Sequence, residues 1–217
     1  PWIVLDNVPW GMVANPVTNF YGQCHPPDDS DLWYKYVRQC VQSLVDRYGM
    51  ERVSKWHFRV GTEPDLFPKH WAGTKEQFFK HYDYTVAAVE SVIPEPEIGP
   101  GNFLVCRGSQ ASKHKKKWTF EILDHCVNGK SHYTGKTGTR ITFYSQSCYA
   151  HQGRKFEYEA NMKKFREELA KVPSLKGLPH EIHEYGEIKS STQRGGAVQL
   201  IEWSAGLYAQ TADIAYR

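Results

Sequence analysis

Strand-like and helix-like segments alternate along this chain, and the alternation limits the folds that it can adopt. Trp2–Leu5 is a short apolar run that predicts a buried strand. A helical apolar stripe runs from Ser30 to Gly49, and a second helix begins at Thr74, where Gln77 completes a capping-box pattern. Such alternation favours an α/β fold with a mainly parallel sheet.

The rest of the chain continues this pattern. Further strands are predicted within residues 56–65, 97–103, 140–145 and 178–187, and further helices near residues 118–126, 156–172 and 197–216. The total is five strands and five helices without an internal boundary, so residues 1–217 are expected to form one domain. Residues 11–30, rich in Gly, Pro, Asn and Asp, predict a long loop of the kind that often builds a site.

Residues 56–65 predict a strand that ends in a carboxylate, because Pro64 directly follows Glu63. If Glu63 faces inward, strand alternation also turns His57 and Arg59 inward and leaves the apolar residues between them in a packing layer. A glutamate at this position is well placed for chemistry at the mouth of a barrel. A solvated loop acid is the alternative interpretation.

The strand predicted over residues 178–187 is unusually polar for a parallel sheet, and it supplies a second carboxylate. Buried polar groups are costly unless they are hydrogen-bonded, so this polarity needs a reason. Glu184 precedes a glycine turn signal, and two predicted strands lie between its strand and that of Glu63. Two such carboxylates facing each other across a barrel mouth suit acid/base and nucleophilic attack on a glycosidic bond. The alternative is two unrelated surface glutamates.

A metal site in the same strand is disfavoured, and the sequence suggests no cofactor. His180, His183 and Glu187 are the possible ligands, but His180 and His183 point to opposite faces of a strand. The five cysteines contain no Cys-x-x-Cys pair, which argues against a cysteine zinc site.

The charge and hydropathy of the chain limit the kinds of partner that we expect it to bind. The net charge of +3 and the basic run at residues 113–117 do not resemble a nucleic-acid-binding motif, and we expect no nucleic-acid partner. The basic run is interpreted as a solvated helix start or loop, with a phosphate or a sulfated glycan as its possible ligand. No apolar run approaches the roughly 20 residues of a membrane span, so no membrane partner is expected.

Residues 56–65, together with Trp71 and the aromatic helix at residues 76–82, resemble the acid/base segment of glycoside hydrolase family 39. Residues 183–186, His-Glu-Tyr-Gly, are similar to the nucleophile strand of the same clan. The resemblance implies a (β/α)8 TIM barrel, a carbohydrate substrate and a retaining mechanism. It assigns the acid/base role to Glu63, after strand four, and the nucleophile role to Glu184, after strand seven.

Three residues depart from that family pattern. Thr62 stands where the family has an asparagine that binds the sugar 2-hydroxyl, Gly61 replaces a bulky residue, and Arg59 replaces an inward acid. These changes weigh against a plain β-xylosidase assignment. Arg59 is expected either to keep Glu184 ionised or to pair with a buried acid such as Glu181 or Asp6.

The length of the chain gives a further expectation. A TIM barrel typically takes about 250 residues, and by the family layout this chain holds strands three to seven. We therefore expect a segment of a longer polypeptide that supplies about five of the eight βα units. Its partner would be the missing remainder of its own barrel.

The candidate substrate-binding residues are Thr62 and several aromatic or histidine side chains. The others are Trp10, Trp71, Tyr144, Tyr149, His151 and Tyr185, each with plain packing as the alternative. Tyr144 is predicted to end the sixth strand and to reach Glu184. Two functions compete with that of a neutral-glycan hydrolase: a non-catalytic glycan-binding barrel, and a hydrolase of acidic or sulfated polysaccharide.

Overall fold

A computed structural model describes residues 1–19, 21–104, 118–151, 163, 165–167, 169–170 and 172–188. The predicted helix at residues 197–216 and the basic run at 113–117 lie outside the described residues. The described strands are β1 (Trp2–Leu5), β2 (Thr18–Asn19), β3 (Gly22–Gln23), β4 (His57–Val60), β5 (Glu97–Pro100), β6 (Tyr144–His151) and β7 (His180–Ile188). The described helices are α1 (Ser30–Tyr48), α2 (Met50–Val53), α3 (Lys75–Glu90) and α4 (Trp118–Asn128), with helical positions also at 163, 165–167 and 169.

Parallel pairing of successive strands is the main feature of the sheet. Strands β1, β4 and β5 pair in that order, and Val4, Arg59 and Gly99 lie side by side across them. Strands β6 and β7 form a second parallel pair. Phe103 joins the two groups, because its backbone N–H donates to Ser145 at 3.1 Å and its carbonyl accepts from Ser147 at 3.0 Å. These pairings confirm the α/β class and the parallel sheet.

The two long helices begin and end where their capping residues predict. Asp29 caps α1 by accepting hydrogen bonds from the backbone of Asp31 and Leu32. Thr74 and Gln77 form the reciprocal capping box of α3, an arrangement of the kind that contributes about 1 kcal/mol. Among the described residues, no helix combines the length and the apolar character needed to cross a membrane.

The core lies between the sheet and the helices, and it separates two kinds of side chain on β4. Phe58 and Val60 are fully buried against the helices, where Trp33 of α1 and Tyr82 of α3 are also buried. Burying one such side chain contributes about 2 kcal/mol. The alternate positions of β4 carry polar groups on the opposite face, so the predicted alternation is confirmed.

Several details of the sequence-based prediction are wrong. Residues 11–30 are not a plain loop, because they contain a short 3-10 turn at Trp10–Met12 and the hairpin of β2 and β3. The strand predicted over residues 140–145 begins at Tyr144 rather than near residue 140. Tyr36 and Tyr48, predicted in the buried stripe of α1, are 42% and 41% exposed.

Candidate active site

Glu63 lies directly beyond the carboxyl end of β4 in a tightly held turn. It is 6% exposed, and its φ of 45° lies in the left-handed region that non-glycine residues rarely adopt. Its backbone N–H donates to the carbonyl of Asn102 at 3.1 Å, and its own carbonyl accepts from Leu66 at 2.8 Å. Backbone conformations of this kind cost about 1–3 kcal/mol and cluster at functional sites.

Two glycines let the ends of β4 and β5 come close enough to form this turn. Gly61 has a φ of 79°, and a Cβ on it would lie 3.2 Å from the ring of Phe78. A Cβ on Gly101 would lie 2.5 Å from the carbonyl oxygen of Gly61. A side chain on Gly101 would push the ends of β4 and β5 apart, whereas one on Gly61 would press on Phe78 of α3.

Asp65 and Asn102 brace the same turn from neighbouring loops. Both carboxylate oxygens of Asp65 accept from the backbone N–H of Leu104, at 3.2 and 3.1 Å. The amide of Asn102 donates to the hydroxyl of Ser147 at 2.7 Å, which links the end of β5 to β6. The backbone around Glu63 is therefore fixed by three strands.

Arg59 lies on the interior face of β4, next to the predicted carboxylates. It is 9% exposed, and its Nη2 donates to the hydroxyl of Thr62 at 2.8 Å. Burial lowers the pKa of its guanidinium, and nearby acidic groups oppose that shift. Those groups are, in decreasing effect, Asp6, Glu184, Tyr21 and Glu63. Both predicted glutamates therefore lie within electrostatic reach of one buried cation.

A β-bulge on β7 sets the direction of Glu184. Ile182 pairs with Gln146 and Glu184 with Ser147, which leaves His183 as the extra residue of the bulge. His183 hydrogen-bonds to Arg59, and Glu184 acts on the charge of the same residue. The bulge thus brings two consecutive residues to the interior, which strict alternation does not allow.

His180 and His183, the histidines considered as metal ligands, lie on opposite faces of β7. His180 hydrogen-bonds to Gln146 at 2.8 Å, and its ring packs against Phe165 with the ring centroids 4.0 Å apart. It therefore lies in the layer between sheet and helix, whereas His183 lies inside, so the two histidines face opposite ways as predicted. Within the described part of the chain, no three His, Cys, Asp or Glu side chains are grouped to hold a metal ion.

Tyr21 and His70 are site residues that the sequence analysis missed. The ring of Tyr21 stacks on that of His70 with the centroids 4.0 Å apart, and its hydroxyl donates to Asp6 at 2.7 Å. Burial raises the pKa of Tyr21, so the hydroxyl stays protonated. Both residues lie in loops without periodicity, and their only sequence signal is an aromatic or histidine side chain after the end of a strand.

His70 lies beside the carboxylate of Glu63. Its Nδ1 is 3.6 Å from Oε2 of Glu63 and 3.2 Å from the carbonyl oxygen of Thr62. Burial lowers the pKa of the ring, although the hydrogen bond to Thr62 acts in the other direction. A neutral imidazole therefore flanks Glu63.

Comparison with known proteins identifies the family. Residues 1–190 match the model of the family described as Glycosyl hydrolases family 39. The chain belongs to glycosyl hydrolase family 39. This confirms the resemblance inferred from the sequence around Glu63 and Glu184.

Relatives of the chain are named for different activities. An alpha-1,4-L-rhamnosidase of Formosa agariphila is 30% identical over 214 residues, which cover 91% of this chain and 40% of that protein. A beta-xylosidase of Caldicellulosiruptor saccharolyticus is 29% identical over 151 residues, 69% of this chain and 27% of that protein. The chain therefore spans less than half the length of these relatives.

A solved structure supports the fold. The GH39 enzyme from Xanthomonas axonopodis pv. citri superposes with a TM-score of 0.68 at 20% identity, over 84% of this chain and 35% of that one. The described parallel strands of this family 39 chain accordingly belong to a (β/α)8 barrel. How many of the eight βα units the chain supplies stays a prediction.

The structure describes some of the other predicted substrate contacts of this family 39 chain. Trp10 is 56% exposed in the turn after β1, and it stays a candidate. Trp71 is buried against Phe78 and His81, which agrees with the packing alternative. His151 and Tyr185 lie on β6 and β7, but their side chains lie outside the described part of the structure.

The prediction that Tyr144 ends its strand is wrong. Tyr144 begins β6 instead of ending it, and it is fully buried. Its ring stacks on Phe165 and Phe103, with centroids 4.5 and 5.9 Å away. It therefore packs between sheet and helix, on the face away from Arg59.

Proposed function

We propose that the complete protein is a retaining glycoside hydrolase that uses Glu63 as acid/base and Glu184 as nucleophile. The observation that carries this proposal is that Arg59 hydrogen-bonds at both strand ends, to Thr62 beside Glu63 and to His183 beside Glu184. A fixed cation favours the ionised form of a neighbouring carboxylate, and a nucleophilic carboxylate must be ionised. The left-handed backbone and the buried setting of Glu63 suit a residue with a defined catalytic direction.

The reaction proceeds in two balanced steps. Glu184 attacks the anomeric carbon and forms an ester bond, while the glycosidic bond breaks and Glu63 gives its proton to the leaving oxygen. Glu63 then takes a proton from water, and the hydroxide oxygen displaces Glu184 from the anomeric carbon. Two inversions leave the anomeric configuration retained. A carboxyl separation of about 5–5.5 Å is the expected geometry for this route.

The candidate substrates are hexose and pentose glycosides. The relatives are named for rhamnosidase and xylosidase activity, so α-L-rhamnosides and β-D-xylosides are the first substrates to test. Arg59 already faces several acids, which disfavours it as a receptor for a sulfate or carboxylate group of the substrate. We propose Thr62, Trp10, His151 and Tyr185 as substrate contacts.

We further propose that other strands complete the barrel around this site. Trp2 and Val4 pair with His57 and Arg59 in the sheet, so they share the interior face. They are 46% and 43% exposed, which is unusual for large apolar residues inside a barrel. The remainder of the barrel would cover them.

The test is turnover and product stereochemistry of the complete protein. We expect hydrolysis of at least one aryl α-L-rhamnoside or β-D-xyloside, with the retained anomer seen first by proton NMR. Glu184→Gln and Glu63→Gln should each abolish hydrolysis of a glycan with a poor leaving group. An inverted first product would contradict the two-step route, and binding without turnover would favour the glycan-binding alternative.

A further inference from the structure

The buried cation of the site has an unusual set of hydrogen-bond partners. Within the described residues, Arg59 hydrogen-bonds to two uncharged groups, the hydroxyl of Thr62 at 2.8 Å and Nδ1 of His183 at 3.3 Å. Its Nε has no hydrogen-bond partner there. A buried cation usually pairs directly with a carboxylate. In the part of the chain that the structure describes, these two bonds to uncharged groups are the hydrogen bonds that hold the guanidinium.

This arrangement fixes the protonation of His183. A guanidinium N–H only donates, so Nδ1 of His183 must be the acceptor and carries no proton. The ring proton is then on Nε2, which donates to Oε2 of Glu181 at 2.9 Å. The ring of Trp2 packs edge-on against this imidazole, with the centroids 4.3 Å apart. His183 is therefore held as one neutral tautomer.

We propose that His183 is a positioning residue. It is oriented by its hydrogen bond to Glu181, it hydrogen-bonds in turn to Arg59, and it thereby keeps the guanidinium beside Glu184 and Thr62. The inference rests on the proposed function, in which Glu184 is the nucleophile. The β-bulge gives His183 this place, since it brings the residue before Glu184 to the interior as well. This role depends on the hydrogen-bond acceptor at Nδ1 and not on the size of the ring.

A second proton on His183 would break this arrangement. It would place an N–H at Nδ1 opposite the N–H of Arg59, and two donors facing each other repel. Glu181 and Arg59 are the charged groups that hydrogen-bond to the imidazole, and Glu181 also lies 4.0 Å from Nδ1 of His57. Trp2 and Phe143 contact the ring without charge.

Two substitutions separate the two nitrogens of the ring. His183→Asn keeps an acceptor at the place of Nδ1, whereas His183→Gln keeps a donor near Nε2 and lacks that acceptor. In the complete protein, we expect kcat/KM of the glutamine variant to be about tenfold below that of the asparagine variant. Equal losses in both variants would overturn the proposal.

A spectroscopic measurement keeps the inference separate from the proposed function. In protein labelled with 15N-histidine, the His183 signals, identified by their loss in His183→Asn, should show a protonated Nε2 and an unprotonated Nδ1 at neutral pH. The opposite tautomer or a charged ring would overturn the inference without any activity assay. The expected tautomer in a protein that hydrolyses no glycoside would instead overturn the proposed function.

Discussion

The guanidinium of Arg59 donates to the hydroxyl of Thr62 across 2.8 Å. These are two of the three positions at which the chain departs from the family pattern around Glu63, and they contact each other. A threonine hydroxyl that accepts from Arg59 is already engaged by the protein. The two departures are therefore joined by a hydrogen bond. The departure at Arg59 places a cation where the family pattern has an acid.

Replacing Arg59 by methionine should lower the proposed activity. The buried guanidinium hydrogen-bonds to Thr62 and His183, the neighbours of the two glutamates, and methionine makes neither bond. We expect kcat/KM at its optimum to fall about tenfold or more. The measurement is a steady-state assay with an aryl glycoside.

The matched control for that substitution is Arg38→Met, which removes the same charge from the exposed face of α1. It should leave kcat/KM unchanged. An unchanged kcat/KM in Arg59→Met as well would contradict the role of the cation.

Gly61→Ala should destabilise the fold more than an alanine at another left-handed glycine. Gly177 is a suitable comparison, because its φ of 86° is similar and a Cβ there would meet nothing within 4 Å. Both substitutions carry a conformational cost of about 1 kcal/mol. Gly61→Ala adds contact with the ring of Phe78 at 3.2 Å. Urea unfolding should show the larger loss at Gly61, and equal losses would mean that the ring moves aside freely.

A buried carboxylate away from the site holds the loop after α4. Asp83 accepts hydrogen bonds from Nε2 of His125 at 3.0 Å, the backbone of His132 at 2.7 Å and the hydroxyl of Thr139 at 2.6 Å. Asp83→Asn should lower the free energy of unfolding by about 2–3 kcal/mol, because an amide disrupts charge-assisted bonds in a buried place.

The control for Asp83→Asn is Asp124→Asn, on an exposed side chain that accepts from Asn128 at 2.8 Å. It should change the free energy of unfolding by less than about 0.5 kcal/mol. A similar small effect at Asp83 would show that its carboxylate is not a structural anchor.

Two buried histidines should make the fold sensitive to acid. Burial lowers the pKa of His81 to about 3, and burial together with Arg166 lowers that of His180 to about 3. The unfolded chain binds these protons near pH 6.5 and the folded chain does not, so stability is complete above pH 6.5 and declines toward pH 3. Each histidine contributes a slope of about 1.4 kcal/mol per pH unit in that window. His81→Gln should reduce the slope of unfolding free energy against pH, and an unchanged slope would contradict the assignment.

Much of the scaffold follows from local sequence signals. The capping box at Thr74 and the apolar stripe before Gly49 mark helix ends by local hydrogen bonds, which do not depend on the rest of the fold. Strand β4 is marked by alternation and by the proline after Glu63. Local chemistry of this kind is visible in a single sequence.

The rest depends on contacts between distant segments. Ser147 lies beyond the strand predicted over residues 140–145, yet it is buried in β6, where its hydroxyl accepts from Asn102. The bulge at His183 depends on the register of β6 against β7. Tyr21 joins the site only because the hairpin folds over His70. None of these contacts leaves a periodic pattern in the sequence.

The most direct measurement for the two-glutamate account is the site of covalent trapping. The complete protein would be inactivated with a 2-fluoro glycoside of the sugar that it hydrolyses, digested, and the labelled peptide sequenced by mass spectrometry. The account predicts one glycosyl unit per protein, esterified to Glu184. A label on Glu63 or on any other carboxylate, or inactivation without a covalent adduct, would contradict it.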